Sequence, residues 1–472
     1  MIRDKQKLLQ IHRRHKRYLL SVGVLVALAS AWIHWALPVL VGVLLWVAHE
    51  AWWSDHLFYS PQADYVYDFG GADSCVLEMD NDALIARNGI PDGGTLIAEV
   101  TVCATTTGRF IDPHVLLGNE RFDFERGVSG SRFLDISQHW EALAQDGSLS
   151  FTARHCRLAK HGRLTGFVWP DFAQRRVMVL APHADDAELA AFGLYSRCAD
   201  PLVVTLTQGE AEAEGLALSL GIPLPDAARL KGRLRSWDSI ATPRWGGVPV
   251  ENCLQLGYFC MQLGAMRVAP QDAQPSRFSG DGDIRPARQW NTLRLPGDAD
   301  GEPTWENLIA DLVAIMNDFR PDVIVTPHLS LDPHPDHVAA TEALREALSQ
   351  CVARPEHILF YANHLHDNDR WPMGPAGGGV TLPPVFEAAP SSFWSLELGA
   401  ERQREKAFAL GMQHDLQGPL PFKKRVRRSI QRLLAGRDWP RFGDNEYFRK
   451  AVRSRELFQV VPCSCFLNDL EK

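Results

Sequence analysis

Two short stretches of this chain hold residues able to do metal and acid–base chemistry. In VMVLAPHADDAELAAFG, residues 177–193, His183, Asp185 and Asp186 fall within four positions. In PDVIVTPHLSLDPHPDHV, residues 321–338, His334, Asp336 and His337 do the same. A catalytic zinc site needs three nitrogen or oxygen ligands and one open position. His183, Asp186 and His337 supply such a set, leaving Asp185 and His334 for proton work on a metal-bound water. The expected cofactor is Zn2+, with another divalent metal as the alternative. Taken alone, these residue types describe metal-assisted hydrolysis. A plainer role exists for either aspartate, as the N-cap of a following helix.

The elements around the clusters must bring them together. Residues 177–180 and 323–325 are short apolar runs, the signature of buried parallel strands. Each cluster then sits where a strand ends and a helix begins. In open α/β sheets ligands bind at the carboxyl ends of strands. Further strands are expected at 202–206 and 358–361, and helices at 225–240, 305–319 and 338–347. This alternation predicts an α/β catalytic domain over 175–472, built on a Rossmann-like, mostly parallel sheet. No GxGxxG follows a strand, so a nicotinamide cofactor is not indicated. Residues 262–300, rich in Gly, Pro, Asp and Gln, read as a long insertion or mobile loop. His364 follows a strand and could touch substrate, with a surface histidine the favoured reading.

His183-Ala184-Asp185-Asp186 followed by His334-Pro335-Asp336-His337 resembles the PIG-L/LmbE-like zinc-dependent N-acetylglucosamine deacetylases. That family's first motif is usually His-Pro-Asp-Asp; here Ala184 replaces the proline and Ala187 stands where a Glu is usual. The resemblance runs from about Arg176 to Phe458. It includes the run 205–210 (TLTQGE), Arg235 with Asp238, 256–258 (LGY), and Lys406 to Gln417. It implies removal of an N-acetyl group from an N-acetylhexosamine of a glycolipid or surface glycan, with release of acetate. Asp185 would take the proton of the attacking water and return it to the leaving amine. His334, as imidazolium, would stabilise the oxyanion, with Asp336 orienting and charging it. Two alternatives remain: a zinc amidase on a non-sugar amide or thiol-conjugate, and a non-catalytic membrane glycan-binding protein.

The rest of the chain sets the context. It has 472 residues, a net charge of −8 and 22% charged residues, an ordinary surface without a nucleic-acid signature. Nine cysteines without a CxxC pair favour a reducing compartment. Residues 1–17 form a basic tail, expected to be cytoplasmic. Residues 18–53 are almost wholly apolar and are expected to be a membrane anchor, a hairpin of two short spans over 18–34 and 37–53. The rival arrangement is one long tilted span with a periplasmic enzyme. The inner membrane is therefore the expected location, with the catalytic domain on the cytoplasmic side. Short alternating runs over 60–170 suggest a β-sandwich domain. Its aromatics Tyr65, Tyr67, Phe122, Phe124 and Phe133 are read as core. A basic amphipathic run from Lys423 to Arg432 suits anionic lipid, a diphosphate-linked substrate or simply a solvated helix face. Expected partners are an N-acetylated, lipid-linked or free sugar and membrane lipid, and no nucleic acid.

Overall fold

Alternation of buried and exposed residues governs the N-terminal third. Strand Thr95–Ala104 turns Leu96, Ala98, Val100 and Val102 inward. Strand His114–Leu117 follows the same two-residue period. The computed structural model describes residues 2–55, 57–80, 82–87, 89–418, 420–439 and 442–468, with side chains from residue 10 onward except at 12. Arg3, Lys5 and Lys7 of the expected basic tail lie outside the described side chains.

Nine strands pair in one antiparallel sheet. It runs from Glu120–Asp123 through His114–Leu117, Ser148–Arg154, Ala83–Arg87, Ser74–Asp80, His161–Phe167 and Thr95–Ala104 to Ser129–Asp135. Cys156–Leu158 pairs on Thr95–Ala104 as well. The sheet curls into a nearly closed, barrel-like form around Leu77, Leu96, Val100, Val115, Phe122 and Leu164. This corrects the expected β-sandwich. Two facing sheets and one sheet rolled on itself bury the same alternating face, so the pattern does not separate them. Phe122, Phe124, Phe133 and Tyr65 are buried.

The second sheet has the order Cys253–Tyr258, Asp200–Thr207, Arg176–Ala181, Val323–Pro327, His357–Tyr361, Arg455–Pro462, Phe393–Glu397. The first five pair in parallel. Arg455–Pro462 runs antiparallel to both of its neighbours. The sheet is therefore mixed, and the expected Rossmann-like, mostly parallel sheet does not hold. Strand–helix alternation breaks down after Tyr361. The chain then takes a long irregular path, adds one edge strand, passes through four helical segments and returns in the opposite direction. Residues 262–300 are built into the domain. Arg288 there is buried, with Nη2 donating to Asp311 at 2.6 Å.

The N-terminal segment is also corrected. Helices Ile2–Ala31 and Leu37–Ala48 form a hairpin, and the second continues as a π-helical turn, His49–Trp53. Among the described residues no helix is long and apolar enough to cross a membrane. A span needs about 20 apolar residues. The first helix includes Arg13, Arg14, Lys16 and Arg17, and the second has 12 residues. The predicted anchor and inner-membrane location are not supported.

A cluster of buried charges ties the linker after this hairpin to both sheets. Arg437 donates to Asp112 at 3.0 Å and to Asp55 at 2.8 Å. Arg370 donates to Asp112 at 3.0 Å, and Arg126 lies 3.3 Å from each carboxylate. Burial alone would raise the Asp55 carboxyl, but Arg370, Arg437 and Arg126 overcome it and hold it at about 2. A depressed carboxyl contributes stability that is complete above its unfolded value, near 4, and is lost as pH falls toward 2. Asp112→Ala should therefore cost about 3–5 kcal/mol, because it leaves buried guanidinium groups unpaired. Urea unfolding at about pH 7 and about pH 3 checks this. The wild type should lose stability on acidification, and the variant should start lower and lose less. An unchanged urea midpoint at neutral pH would show that the cluster holds nothing.

Candidate active site

The central strands of the second sheet position the two clusters. Val177, Met178 and Val179 pair in register with Val323, Ile324 and Val325. Their carboxyl ends therefore open side by side. The first strand gives way at Ala181-Pro182 and helix Asp186–Tyr195 starts. The other strand is followed by a loop and helix Pro335–Gln350, with proline in its first turn. Both clusters sit at helix N-termini, whose dipoles favour negative groups. Thr207 Oγ1 donates to Pro182 O at 2.9 Å and Gln413 Nε2 to Ala184 O at 2.7 Å, which fixes the first loop.

Three atoms converge. Asp186 Oδ2 lies 3.1 Å from His183 Nδ1 and 3.1 Å from His337 Nε2. His337 Nε2 lies 3.3 Å from His183 Nδ1. Ligands about 2.1 Å from a tetrahedral ion are separated by about 3.4 Å along each edge. The trio thus fits one small divalent ion, and the residues here can hold a metal. His334 closes the group, its ring centroid 4.9 Å from that of His183 and 4.8 Å from that of His337.

Each ligand candidate is held from behind. His337 Nδ1 lies 2.9 Å from Asp332 Oδ2, and the backbone N–H groups of Asn363 and His364 donate to the same oxygen. His183 Nε2 lies 3.2 Å from Asp336 Oδ2, which also accepts from Met261 N at 2.7 Å. Asn363 Nδ2 donates to Asp186 Oδ1 at 2.9 Å. Carboxylates behind metal-facing imidazoles fix the ring orientation and raise its basicity. Burial opposes a charge on His337, yet Asp186 and Asp332 raise it to about 9. Burial also opposes a charge on His183, and Asp186 and Asp336 raise it well above the ordinary value. Three buried carboxylates around two imidazoles make an environment suited to a dication.

Asp185 stands apart from the trio. It occupies the N-cap position but makes no capping hydrogen bond. Arg235 Nη2 donates to its Oδ1 at 2.8 Å. Gly209, at φ +71°, lets Arg235 through, because a Cβ there would collide with the arginine side chain. That gives a physical role to the glycine of the 205–210 run. His334 differs from expectation. Burial, then the charges of His183 and His337, push it down to about 4, so it is a neutral imidazole at neutral pH. The hydrogen bonds of Asp336 go to His183 and Met261 rather than to His334.

The structure brings His183, Asp186, His334, Asp336 and His337 together, and it places Asp185 next in the chain to Asp186 with its carboxylate on Arg235. Sequence reasoning missed Asp332, Asn363 and Cys260. The Cys260 thiol lies 3.3 Å from Thr207 Oγ1 and within 4.8 Å of donor atoms of His183 and Asp336. His364, read as a surface residue, instead lies beside His337, with ring centroids 5.1 Å apart, and its Nδ1 is 3.1 Å from Tyr447 OH. Asp332 carried a signal, standing five residues before His337, one helical turn and a loop away. Asn363 and Cys260 carried none.

Convergent imidazoles and carboxylates at the carboxyl ends of paired parallel strands form a group that could hold a metal ion. The family model of PIG-L, GlcNAc-PI de-N-acetylase, matches residues 261–348. The chain carries a domain of the PIG-L family, a family of deacetylase-like hydrolases. The match contains His334, Asp336 and His337; the first cluster lies outside it. No curated protein sequence matches. Among solved structures, the conserved protein TT1542 from Thermus thermophilus is 16% identical, with 55% of this chain and 88% of that one covered and a TM-score of 0.26. GalB, the 4-carboxy-2-hydroxymuconate hydratase from Pseudomonas putida, is 12% identical, with 61% and 97% covered and a TM-score of 0.32. Likenesses this distant carry no argument about the chemistry.

Asp332→Asn should weaken metal binding about 10–100-fold, since it removes the acceptor that orients His337. Competition with a chromogenic chelator measures this. Wild-type affinity in the variant would mean that His337 needs no such support.

Proposed function

We propose that this chain is a zinc-dependent N-deacetylase that removes the acetyl group from an N-acetylhexosamine unit of a glycolipid or surface glycan. The observation that carries the reading is the converging trio of Asp186 Oδ2, His183 Nδ1 and His337 Nε2, spaced 3.1–3.3 Å apart. The PIG-L domain supports the reaction class.

A divalent ion bound there would supply Lewis-acid polarisation of the acyl oxygen and acidify water. The chain's own residues do the rest. Arg235 fixes the Asp185 carboxylate through Oδ1, leaving Oδ2 to take the proton of the attacking water. The same carboxyl then delivers that proton to the leaving amine. His334, neutral and donating from its ring, faces the developing oxyanion. Asp336 and Asp332 keep His183 and His337 turned toward the centre. Products are acetate and a free amino sugar.

Asp185→Asn is the direct test. The variant should retain its metal, measured by elemental analysis. Acetate release from N-acetylhexosamine substrates should fall about a hundredfold or more. Full acetate release from the metal-loaded variant would exclude Asp185 as the base.

A further inference from the structure

Beside the catalytic cluster lies a cavity of about 500 Å³, walled by the C-terminal helices Phe422–Ala435 and Glu446–Ala451. Its inner wall carries His364, Tyr447, Lys450, Arg427, Arg428 and Trp439. His364 links it to the cluster, because its donor atoms lie within 4.8 Å of those of Asp186 and His337. Tyr447 OH bonds His364 at 3.1 Å, and the Lys450 ammonium sits 5.3 Å from the centre of the Tyr447 ring. His364 is thus shared between the cavity wall and the cluster.

The charges in its wall are unevenly matched. Arg427 pairs with Glu50. Asp55, the inner acid, already faces Arg126, Arg370 and Arg437. Arg428 donates to the carbonyl oxygen of Asp444, whose carboxylate is 3.7 Å away and exposed. No carboxylate forms an ion pair with Lys450 among the described residues. Its neighbour Arg449 is buried and donates to the carbonyls of Arg370, Pro372 and Gly374, and it too has no ion-pair partner among the described residues. The acids of the rim, Asp369, Asp444 and Glu446, are exposed to solvent. Burial, then Arg449, push Lys450 down to about 8. An ammonium left in this state gains most from an anion that enters with the ligand.

We infer that this cavity is a subsite for a phosphate-class anion carried by the substrate, clamped by Lys450 and Arg428 while the acetamide reaches the Asp185 cluster. Trp439 supports the Arg428 guanidinium, 4.7 Å from the ring centre. The subsite makes the enzyme select anionic N-acetylhexosamine derivatives over neutral glycans. The inference rests on the deacetylase reading for its substrate, and binding tests it without turnover.

Calorimetry of the full chain carrying Asp185→Asn compares N-acetylglucosamine 1-phosphate with the neutral methyl glycoside. The phosphate should bind about tenfold tighter or better at low ionic strength. The ratio should fall toward unity in Lys450→Gln and in Arg428→Gln, and on addition of salt. Lys424→Gln, on the exposed rim, should reduce the ratio too and serves if an inner substitution unfolds the chain. Equal affinities in the parent protein overturn the subsite. So does a preference that survives all three substitutions, since the phosphate would then be held elsewhere. Failure of the deacetylase reading appears separately, as acetate release that does not depend on Asp185.

Discussion

The register between strands Arg176–Ala181 and Val323–Pro327 is the constraint on which the site depends. The strands lie far apart in sequence and share no local signal, yet their parallel pairing fixes where both loops leave the sheet. A slip of one residue would turn each side chain to the opposite face. Burial prevents it: Val177, Met178, Val179 and Leu180 are wholly inside, as are Val323, Ile324 and Val325. Tyr361 on the next strand donates its hydroxyl to Leu180 O at 3.2 Å and locks the level at which the first loop begins. The apolar packing of the sheet is thus converted directly into the separation of His183 and His337.

That separation has an electrostatic cost. Asp186, Asp332 and Asp336 are almost fully buried within one small volume. Carboxylates in such a place are unfavourable unless they are paired and hydrogen-bonded. The structure meets the need with backbone N–H donors from His183, Met261, Asn363 and His364 and with two imidazoles. The arrangement leaves Asp336 Oδ1 buried without a partner. Residual negative potential of this kind suits a dication and is not what a fold would keep for stability alone. Met261 adds to the cost, holding φ at +61° so that its N–H can reach Asp336.

Legibility in the sequence follows the range of the interactions. His183, Asp185 and Asp186 are neighbours along the chain, as are His334, Asp336 and His337, so their chemistry is written in local sequence. The apolar runs beneath them announce the strands. Asn363 and Cys260 leave no such mark, because each reaches the site from a third or fourth segment and belongs to no periodic pattern. The role of Asp336 is misjudged from sequence for the same reason: adjacency points to His334, whereas the helical turn aims the carboxylate at His183. Composition misleads in the N-terminal hairpin, where the apolar content and the break before Leu37 are legible but the continuation of the first helix through Arg13, Arg14, Lys16 and Arg17 is not. The closing of the first sheet and the reversal of strand Arg455–Pro462 are properties of long-range pairing, on which alternation is silent.

The N-terminal part of the molecule packs on the basic helix Phe422–Ala435. Gln431 donates to Glu50 O and to Ser54 Oγ, and Arg427 pairs with the buried Glu50 carboxylate. On the same helix, Arg425, Arg427, Arg428 and Arg432 would repel one another if left unbraced. Glu50 absorbs one of these charges, and the Asp55–Asp112 cluster holds Arg437 just past the helix end. With those partners in place, Arg428 lines the cavity, held by Asp444 and Trp439. The hairpin end therefore braces the helix that walls the cavity beside His364.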